Sequence, residues 1–342
     1  MSVKLRVLAL VHRHLIPPAA LEEGADIESA PWRTEYDVIS TLTAMGHEVH
    51  ALGVHDDLGD IRRAATEWKP HIAFNLLEAF DDITIFDQNV VSHLELLKLP
   101  YTGCNPRGLL LARDKSLSKK LLAYHRIRVP ESEVFRAGRP IRRPKRLTFP
   151  LIVKSLTQEA SIGISQASVV DTDEKLKERV AFIHQSIGTA AIAEQYIEGR
   201  ELYVSIIGNQ TLQALPVWEL FFTNMPEGAR RIATDRVKWN VKYQKKYGID
   251  SGPAKDLADG QCTDVMHLCK RAYRALELSG YARIDLRLDD AGQVWVLEAN
   301  PNPQIARGED FAASAEKVGW TYETVLQRII NLGLRWQPES VA

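Results

Sequence analysis

The sequence predicts a mixed α/β (α+β) chain that opens with a parallel sheet and continues with antiparallel ones. Two patterns predict it. Over residues 1–110 short apolar runs alternate with stretches of helical periodicity, the rhythm of an open parallel sheet. From Glu201 onward, ELYVSIIGN and TLQALPVWEL alternate apolar and polar residues, as antiparallel strands do with one face on a core.

The elements follow in order. Residues 4–11 (KLRVLALV) read as the first strand, 34–45 as a helix and GHEVHALGV as the second strand. A helix over 57–69, a strand over 71–78, a helix over 86–98 and a strand at LPYTG complete this part. Ligands of such sheets sit at the carboxyl ends of the strands, which marks the loop 12–31 and the loop after Glu78. A helix at 114–125 leads to RAGRPIRRPKR, a solvated proline- and arginine-rich connection. Strands LIVKSL and GISQASVV, a helix at 173–187 and the strand AAIAEQYI come next. A helix at 262–278 precedes ARIDLRL and VWVLEAN, two strands joined by DDAGQ, and a last helix covers about 321–332.

Bulk properties narrow the function. The chain has 342 residues, 45% hydrophobic and 25% charged, enough for more than one compact unit. A formal net charge of -1 offers no strong field to a nucleic acid or a membrane surface, which leaves small molecules as partners. Cys104, Cys262 and Cys269 are odd in number and form no CxxC, so neither a disulfide framework nor a cysteine zinc site is indicated, and a reduced cytoplasmic setting fits. The first apolar run is broken by Lys4 and Arg6 and reads as a buried strand rather than a leader peptide. No stretch approaches the ~18 uncharged apolar residues of a spanning helix.

The chemistry concentrates in the last hairpin. Residues two apart on a strand share a face, so Arg283 pairs in direction with Asp285, and Glu298 with Asn300. Paired, the two strands bring two carboxylates and an amide oxygen beside one guanidinium, a donor set suited to magnesium and phosphates. The same residues would also make an ion-pair ladder on a solvated sheet. Lys154 ends the apolar strand FPLIVK and needs an anionic partner if buried. SIGIS follows, where Ser161 and Gly163 could cradle a phosphate through backbone N–H groups. Lys115 opens a helix after a loop, another place that favours phosphate. Glu194 closes a strand and a short polar connection leads to Glu201, carboxylates able to read an amino group and a diol.

In order and spacing, LPYTGCNP, RDKSLSKKLL, PLIVKSL with SIGIS, AEQYIEGREL, VKYQKKYGIDSGPA, ARIDLRL and VLEANPNP resemble the ATP-grasp superfamily, and most of all the D-alanine–D-alanine ligases. The resemblance covers nearly the whole chain. It implies an N-terminal α/β domain over 1–110, a central lid over 111–190 and a C-terminal catalytic part over 191–342. It implies an ATP-dependent carboxylate–amine ligase that forms an amide or peptide bond through an acyl phosphate, and a homodimer. Lys115 and Lys154 would bind ATP phosphates, and Glu194, Tyr196 and Ile197 would surround adenine. Glu201 would hold the ribose, and Lys242 would reach the terminal phosphates from a mobile loop. Asp285, Glu298 and Asn300 would hold two Mg2+ ions, or Mn2+. Arg283 would stabilise the tetrahedral intermediate with a backbone N–H near Gln304, under a lid carrying Ser161 and Gly163.

The substrate contacts depart from the family. Its glycine-rich HG…GEDG segment is replaced by NLLEAFDDITIFDQN, its serine pair by Ala160 and Ser161, and its serine–leucine acceptor step by Glu309 and Asp310. Two acids there would favour an acceptor amine that carries a cationic group, or else Arg307 pairs with one of them and both face solvent. A true D-alanine–D-alanine ligase, an ATP-grasp kinase and a non-catalytic nucleotide-binding module are the alternative readings. The intact Arg283, Asp285, Glu298 and Asn300 set argues against the last.

Overall fold

The computed structural model describes residues 4–21, 24, 26–158 and 161–338. Three strands form a parallel sheet in the order β2-β1-β3: β1 (Arg6–His12), β2 (Glu48–Val54) and β3 (Ile72–Asn75). Central β1 is covered on both faces and so reads as an almost unbroken apolar run, Val7 to Val11 being fully buried. Its helices are α1 (Arg33–Ala44), α2 (Gly59–Glu67) and α3 (Asp87–Leu96). The third strand stops at Asn75 rather than Glu78, because the Asn75 side chain accepts from the Leu77 N–H and turns the backbone. LPYTG contributes one parallel bridge, Ala73 to Tyr101, instead of a full strand.

Next come α4 (Pro106–Arg113) and α5 (Lys115–Tyr124). Asp114 caps α5 by accepting from the Ser116 and Leu117 N–H groups. The middle sheet, in the antiparallel order β4-β7-β5-β6, holds β4 (Ser132–Phe135), β5 (Leu151–Ser155), β6 (Val169–Val170) and β7 (Ala191–Gln195), with α6 (Asp173–Phe182) against it. The helix expected over 173–187 is α-helical only to Phe182. Its last turn widens to a π-turn at Ile183–Ile187 and stops at left-handed Gly188. This sheet has a core of its own, built on Leu147, Leu151, Val153, Leu176 and Val180.

The largest sheet runs β11-β10-β8-β12-β13, with a short β9 on β8. Its members are β8 (Arg200–Ile207), β9 (Gln213–Ala214), β10 (Trp218–Phe222), β11 (Ile249–Pro253), β12 (Tyr281–Leu288) and β13 (Val294–Pro301). Helices α7 (Asp235–Trp239) and α8 (Val241–Tyr247) lie between β10 and β11, where a mobile loop was expected. Helices α9 (Gln261–Ala275), α10 (Asp310–Glu316) and α11 (Tyr322–Arg335) complete the chain. Helix α11 returns to the first sheet: Ile329 and Ile330 share a core with Val7, Ile72 and Phe74. Gly333 permits that approach, since a Cβ there would lie 2.3 Å from the Tyr101 carbonyl oxygen. At Gly103, with φ +93°, a Cβ would meet Asn302 Oδ1 at 2.4 Å, the atom that accepts from the Cys104 N–H. The loop after LPYTG is thereby locked to the end of the β12–β13 hairpin. No helix among the described residues is long and apolar enough to cross a membrane.

Candidate active site

The hairpin β12–β13 pairs Asp285 with Glu298 and Arg283 with Asn300, so the four residues singled out by spacing converge. The register slips after Asp285: Leu286 faces Val296, and Leu297 is an extra residue, a β-bulge. The bulge turns the Leu297 carbonyl toward Lys119, whose ammonium donates to it at 2.8 Å. Arg283 grips Asp285 through Nε at 2.7 Å and Nη2 at 2.9 Å, and its guanidinium lies 4.5 Å from the centre of the Tyr203 ring.

Helix α5 supplies two lysines from one face, because Lys115 and Lys119 are four residues apart. Lys115 Nζ lies 3.7 Å from Glu298 and donates to the Gln158 carbonyl at 2.7 Å. Lys119 and Lys154 share the buried Glu194 carboxylate, at 3.4 Å and 2.9 Å. Burial alone would raise Glu298, yet Lys115, Lys154, Lys238 and Lys119 outweigh it and hold the carboxyl at about 2. Burial raises Asp285 in spite of Arg283. Glu194 is pulled below its ordinary value because its two lysines overcome its burial.

A narrow cavity is lined by Lys154, Ser161, Glu194, Tyr196, Ile197, Glu201, Lys238, Asp285, Arg287 and Glu298. A larger groove, about 1150 Å³, lies between α5, the Ser132–Val134 strand and α9. It holds none of the hairpin carboxylates, so the chemistry belongs to the smaller cavity. Glu201 accepts from Arg287 at 2.7 Å and from the Tyr203 hydroxyl at 3.0 Å. The lid loop closes over this space. The Ser161 hydroxyl donates to the Ala233 carbonyl at 2.7 Å, and Arg179 of α6 holds the Gly163 carbonyl. Ser161 has φ 61° and Gly163 φ 72°, a left-handed pair of turns in SIGIS.

Some expectations are met differently. Lys242 sits exposed in the first turn of α8, outside the cavity lining, while Lys238 of α7 reaches it. Helical winding places the two lysines on different elements, a distinction invisible while the stretch was read as a loop. Glu194, expected at an adenine amino group, is occupied by Lys119 and Lys154. Arg287 and Lys119 were missed; each could have been found by spacing, Arg287 two residues beyond Asp285 and Lys119 one turn beyond Lys115. In the segment after the hairpin the two acids are already partnered. Glu309 pairs with Arg33 at 3.3 Å, and Asp310 lies 3.7 Å from Arg283 and accepts from the Ser251 hydroxyl at 2.7 Å. Arg307 turns to Glu323 and Thr41 instead. Ala160, and Glu22, Glu23 and Ala25 of the N-terminal loop, lie outside the described residues.

A sequence model for the D-ala D-ala ligase C-terminus matches residues 123–331, which takes in the lid strands, the cavity and the hairpin. The chain belongs to the D-alanine–D-alanine ligase family. A D-alanine–D-alanine ligase of Bordetella petrii is 34% identical over 252 residues, 72% of this chain and 71% of that protein. The uncharacterized protein y4sG of Sinorhizobium fredii is 28% identical over 315 residues, 89% of either chain. In fold, the crystal structure of the Bacillus anthracis D-alanine–D-alanine ligase complexed with ATP superposes with a TM-score of 0.74 at 22% identity, covering 97% of this chain and 98% of that one. Like its family, this chain is an ATP-dependent, amide-forming ligase of the ATP-grasp fold.

Proposed function

We propose that the chain activates a small carboxylate as an acyl phosphate with ATP and passes the acyl group to a small amine. The observation that carries this reading is the pairing of Asp285 with Glu298 and Arg283 with Asn300 beside four inward lysines. Lys115, Lys154 and Lys238 are suited to the phosphates of ATP, with Tyr196 and Ile197 along the base and Glu201 at the ribose. Lys238 takes the place first expected for Lys242.

Hard oxygen donors fit magnesium. Among the described residues Glu298 meets its nearest cation, Lys115, at 3.7 Å, which leaves its carboxylate open to a metal. The buried Asn300 amide nitrogen has no hydrogen-bond partner, so nothing fixes that amide's orientation and its oxygen can be turned to the ion. Glu298 and Asn300, with Asp285, would hold the ion, which would supply charge neutralisation between phosphates. The carboxylate oxygen attacks the γ-phosphorus, the bond to the β,γ-bridging oxygen breaks and ADP leaves, while the lysines orient the phosphates and offset repulsion. The amine then attacks the acyl carbon, phosphate leaves, and Arg283 faces the oxyanion that develops. The Ser161–Ala233 contact keeps the lid down, which excludes water from the acyl phosphate.

The names of its relatives make D-alanine the first donor and acceptor to try. The paired acids at Glu309 and Asp310 leave the acceptor segment without the free negative charge that a cationic amine would need. A matrix of acids against amines, read by ADP release and product mass, tests the reading. ADP formed only when both are present, with a product of the summed mass less water, supports ligation. ADP formed with the acid alone, and an acyl phosphate trapped by hydroxylamine without amide, would make the chain a kinase. Association as a homodimer is part of the proposal and is checked by sedimentation.

A further inference from the structure

The carboxyl edge of the first sheet carries a second cluster, outside the nucleotide cavity. Neighbouring strands in the order β2-β1-β3 contribute one residue each: His55 just after β2, His12 at the end of β1, and Asp82 in the turn after β3. Asp82 Oδ1 lies 3.4 Å from His12 Nε2, and Oδ2 lies 3.3 Å from His55 Nε2. The two rings are 5.5 Å apart. Asp82 is presented by a tight turn. Phe80 and Ile83 exchange backbone hydrogen bonds, Asp81 and Asp82 have φ 53° and 55°, and the Asp81 N–H donates to the His55 carbonyl at 2.7 Å. Asp is among the few side chains that tolerate left-handed backbone.

We propose that His12, His55 and Asp82 form a binding site for a borderline divalent transition cation, with zinc as the type case. Ligand atoms at about 2.0–2.1 Å from a tetrahedral zinc stand about 3.3–3.4 Å apart. Asp82 reaches His12 with Oδ1 and His55 with Oδ2 at that distance, so a small turn of its carboxylate would present one oxygen to both rings. Two imidazoles and one carboxylate select such a cation over magnesium or calcium, and three ligands leave one position open. Asp82 is 75% exposed while the His12 and His55 side chains are 20% and 13% exposed, so the open position faces solvent over a sheltered floor. His12 Nε2 is buried and makes no hydrogen bond of acceptable geometry, and its Nδ1 receives only a 3.5 Å contact from the His14 N–H. The Asp56 carboxylate lies 3.4 Å from His55 Nδ1, in position to orient that ring from behind.

The rival explanation is an aspartate that simply bridges two imidazoles. Zinc alone, titrated into the full chelator-treated chain in ATP-free buffer containing magnesium, separates the two by calorimetry and metal analysis. The site predicts one saturable equivalent per chain, retained by Cys262→Ser, an exposed thiol elsewhere. His55→Ala and Asp82→Asn should each weaken it at least tenfold with unchanged circular dichroism, Asp82 being exposed enough to substitute without unfolding. Cobalt in its place should give the intense visible bands of a tetrahedral site, absent in His55→Ala. No saturable binding, or an equivalent that survives both substitutions, overturns the proposal.

Discussion

The small cavity beside the hairpin and the segment after it, where we propose that ATP and the acceptor bind, adjoin one another, yet they handle charge in opposite ways. Lys154 and Lys238 line the cavity and Lys115 and Lys119 stand behind it; all four act on Glu298, and Lys119 and Lys154 on Glu194, so cations crowd around carboxylates that stay ionised. Past the hairpin, Glu309 has Arg33, and Asp310 has Arg283 with Ser251. One region is prepared for a polyanion that has yet to arrive. The other is close to neutral before any substrate binds, so its selectivity must come from shape and hydrogen bonding more than from net charge.

The largest effect that would break this contrast lies at Glu298. Glu298→Gln keeps the volume and removes the charge, and turnover should fall on the order of 10² or more. Turnover unchanged at saturating ATP and magnesium would remove Glu298 from the reacting centre. Lys154 comes next. ATP binds only the folded chain and should raise its melting temperature. Lys154→Ala should weaken ATP about tenfold, taking about 1.4 kcal/mol from that stabilisation. The substitution also strips Glu194 of its 2.9 Å partner, so the apo melting point should fall as well. Lys154→Gln separates the two, because its amide can still donate to Glu194 while Lys119 keeps its carboxylate: it should recover apo stability but not the ATP-dependent shift. A full ATP shift in either variant would make Lys154 structural.

The cavity was legible because its groups obey short periods. The i, i+2 spacing of Arg283/Asp285 and Glu298/Asn300 survives in the register, and the apolar run ending at Lys154 does place a lysine on an acid. What spacing could not show was the bulge at Leu297, since VWVLEA reads as apolar alternation with or without an extra residue. Nor could it show that 241–247 winds into a helix, which hands the cavity to Lys238. The partners of Glu309 and Asp310 were hidden for a different reason. Arg33 is 276 residues from Glu309, so no local pattern announces the pair. The same long range hid the cluster of His12, His55 and Asp82, which only the parallel order of three strands assembles.

A smaller effect separates buried charge from paired charge. Glu35 of α1 is 4% exposed, and burial, aided by Glu78, pushes its carboxyl up to about 7 from 4.5. A raised carboxyl favours the protonated folded form. Its contribution to stability is therefore complete below pH 4.5 and is lost as the pH rises through 7. The shift sets a ceiling of about 3 kcal/mol, and relaxation around the charge should leave about 1 kcal/mol. Glu35→Gln should accordingly melt higher than the parent at pH 8 and together with it below pH 4.5. A gain of equal size at both pH values would trace to packing instead.

The smallest effect is expected at the acceptor, and it tests the neutral half of the comparison. A free carboxylate about 4 Å from a cationic amine is worth on the order of 4 kcal/mol at an effective dielectric near 20, before desolvation. Such an acid would favour cationic amines over D-alanine by far more than tenfold. Glu309 and Asp310 are not free: an arginine stands 3.3 Å from one and 3.7 Å from the other, and an incoming cation would meet a pair, not a charge. Discrimination between D-alanine and a cationic amine by the wild type should therefore stay under about tenfold on charge grounds. Arg33→Gln breaks the comparison on purpose. It leaves Glu309 without its guanidinium, and cationic amines should then gain on D-alanine in competition assays read by product mass. If Arg33→Gln leaves the ratio where it was, Glu309 does not face the acceptor, and the selectivity of this segment lies with Asp310 and Ser251.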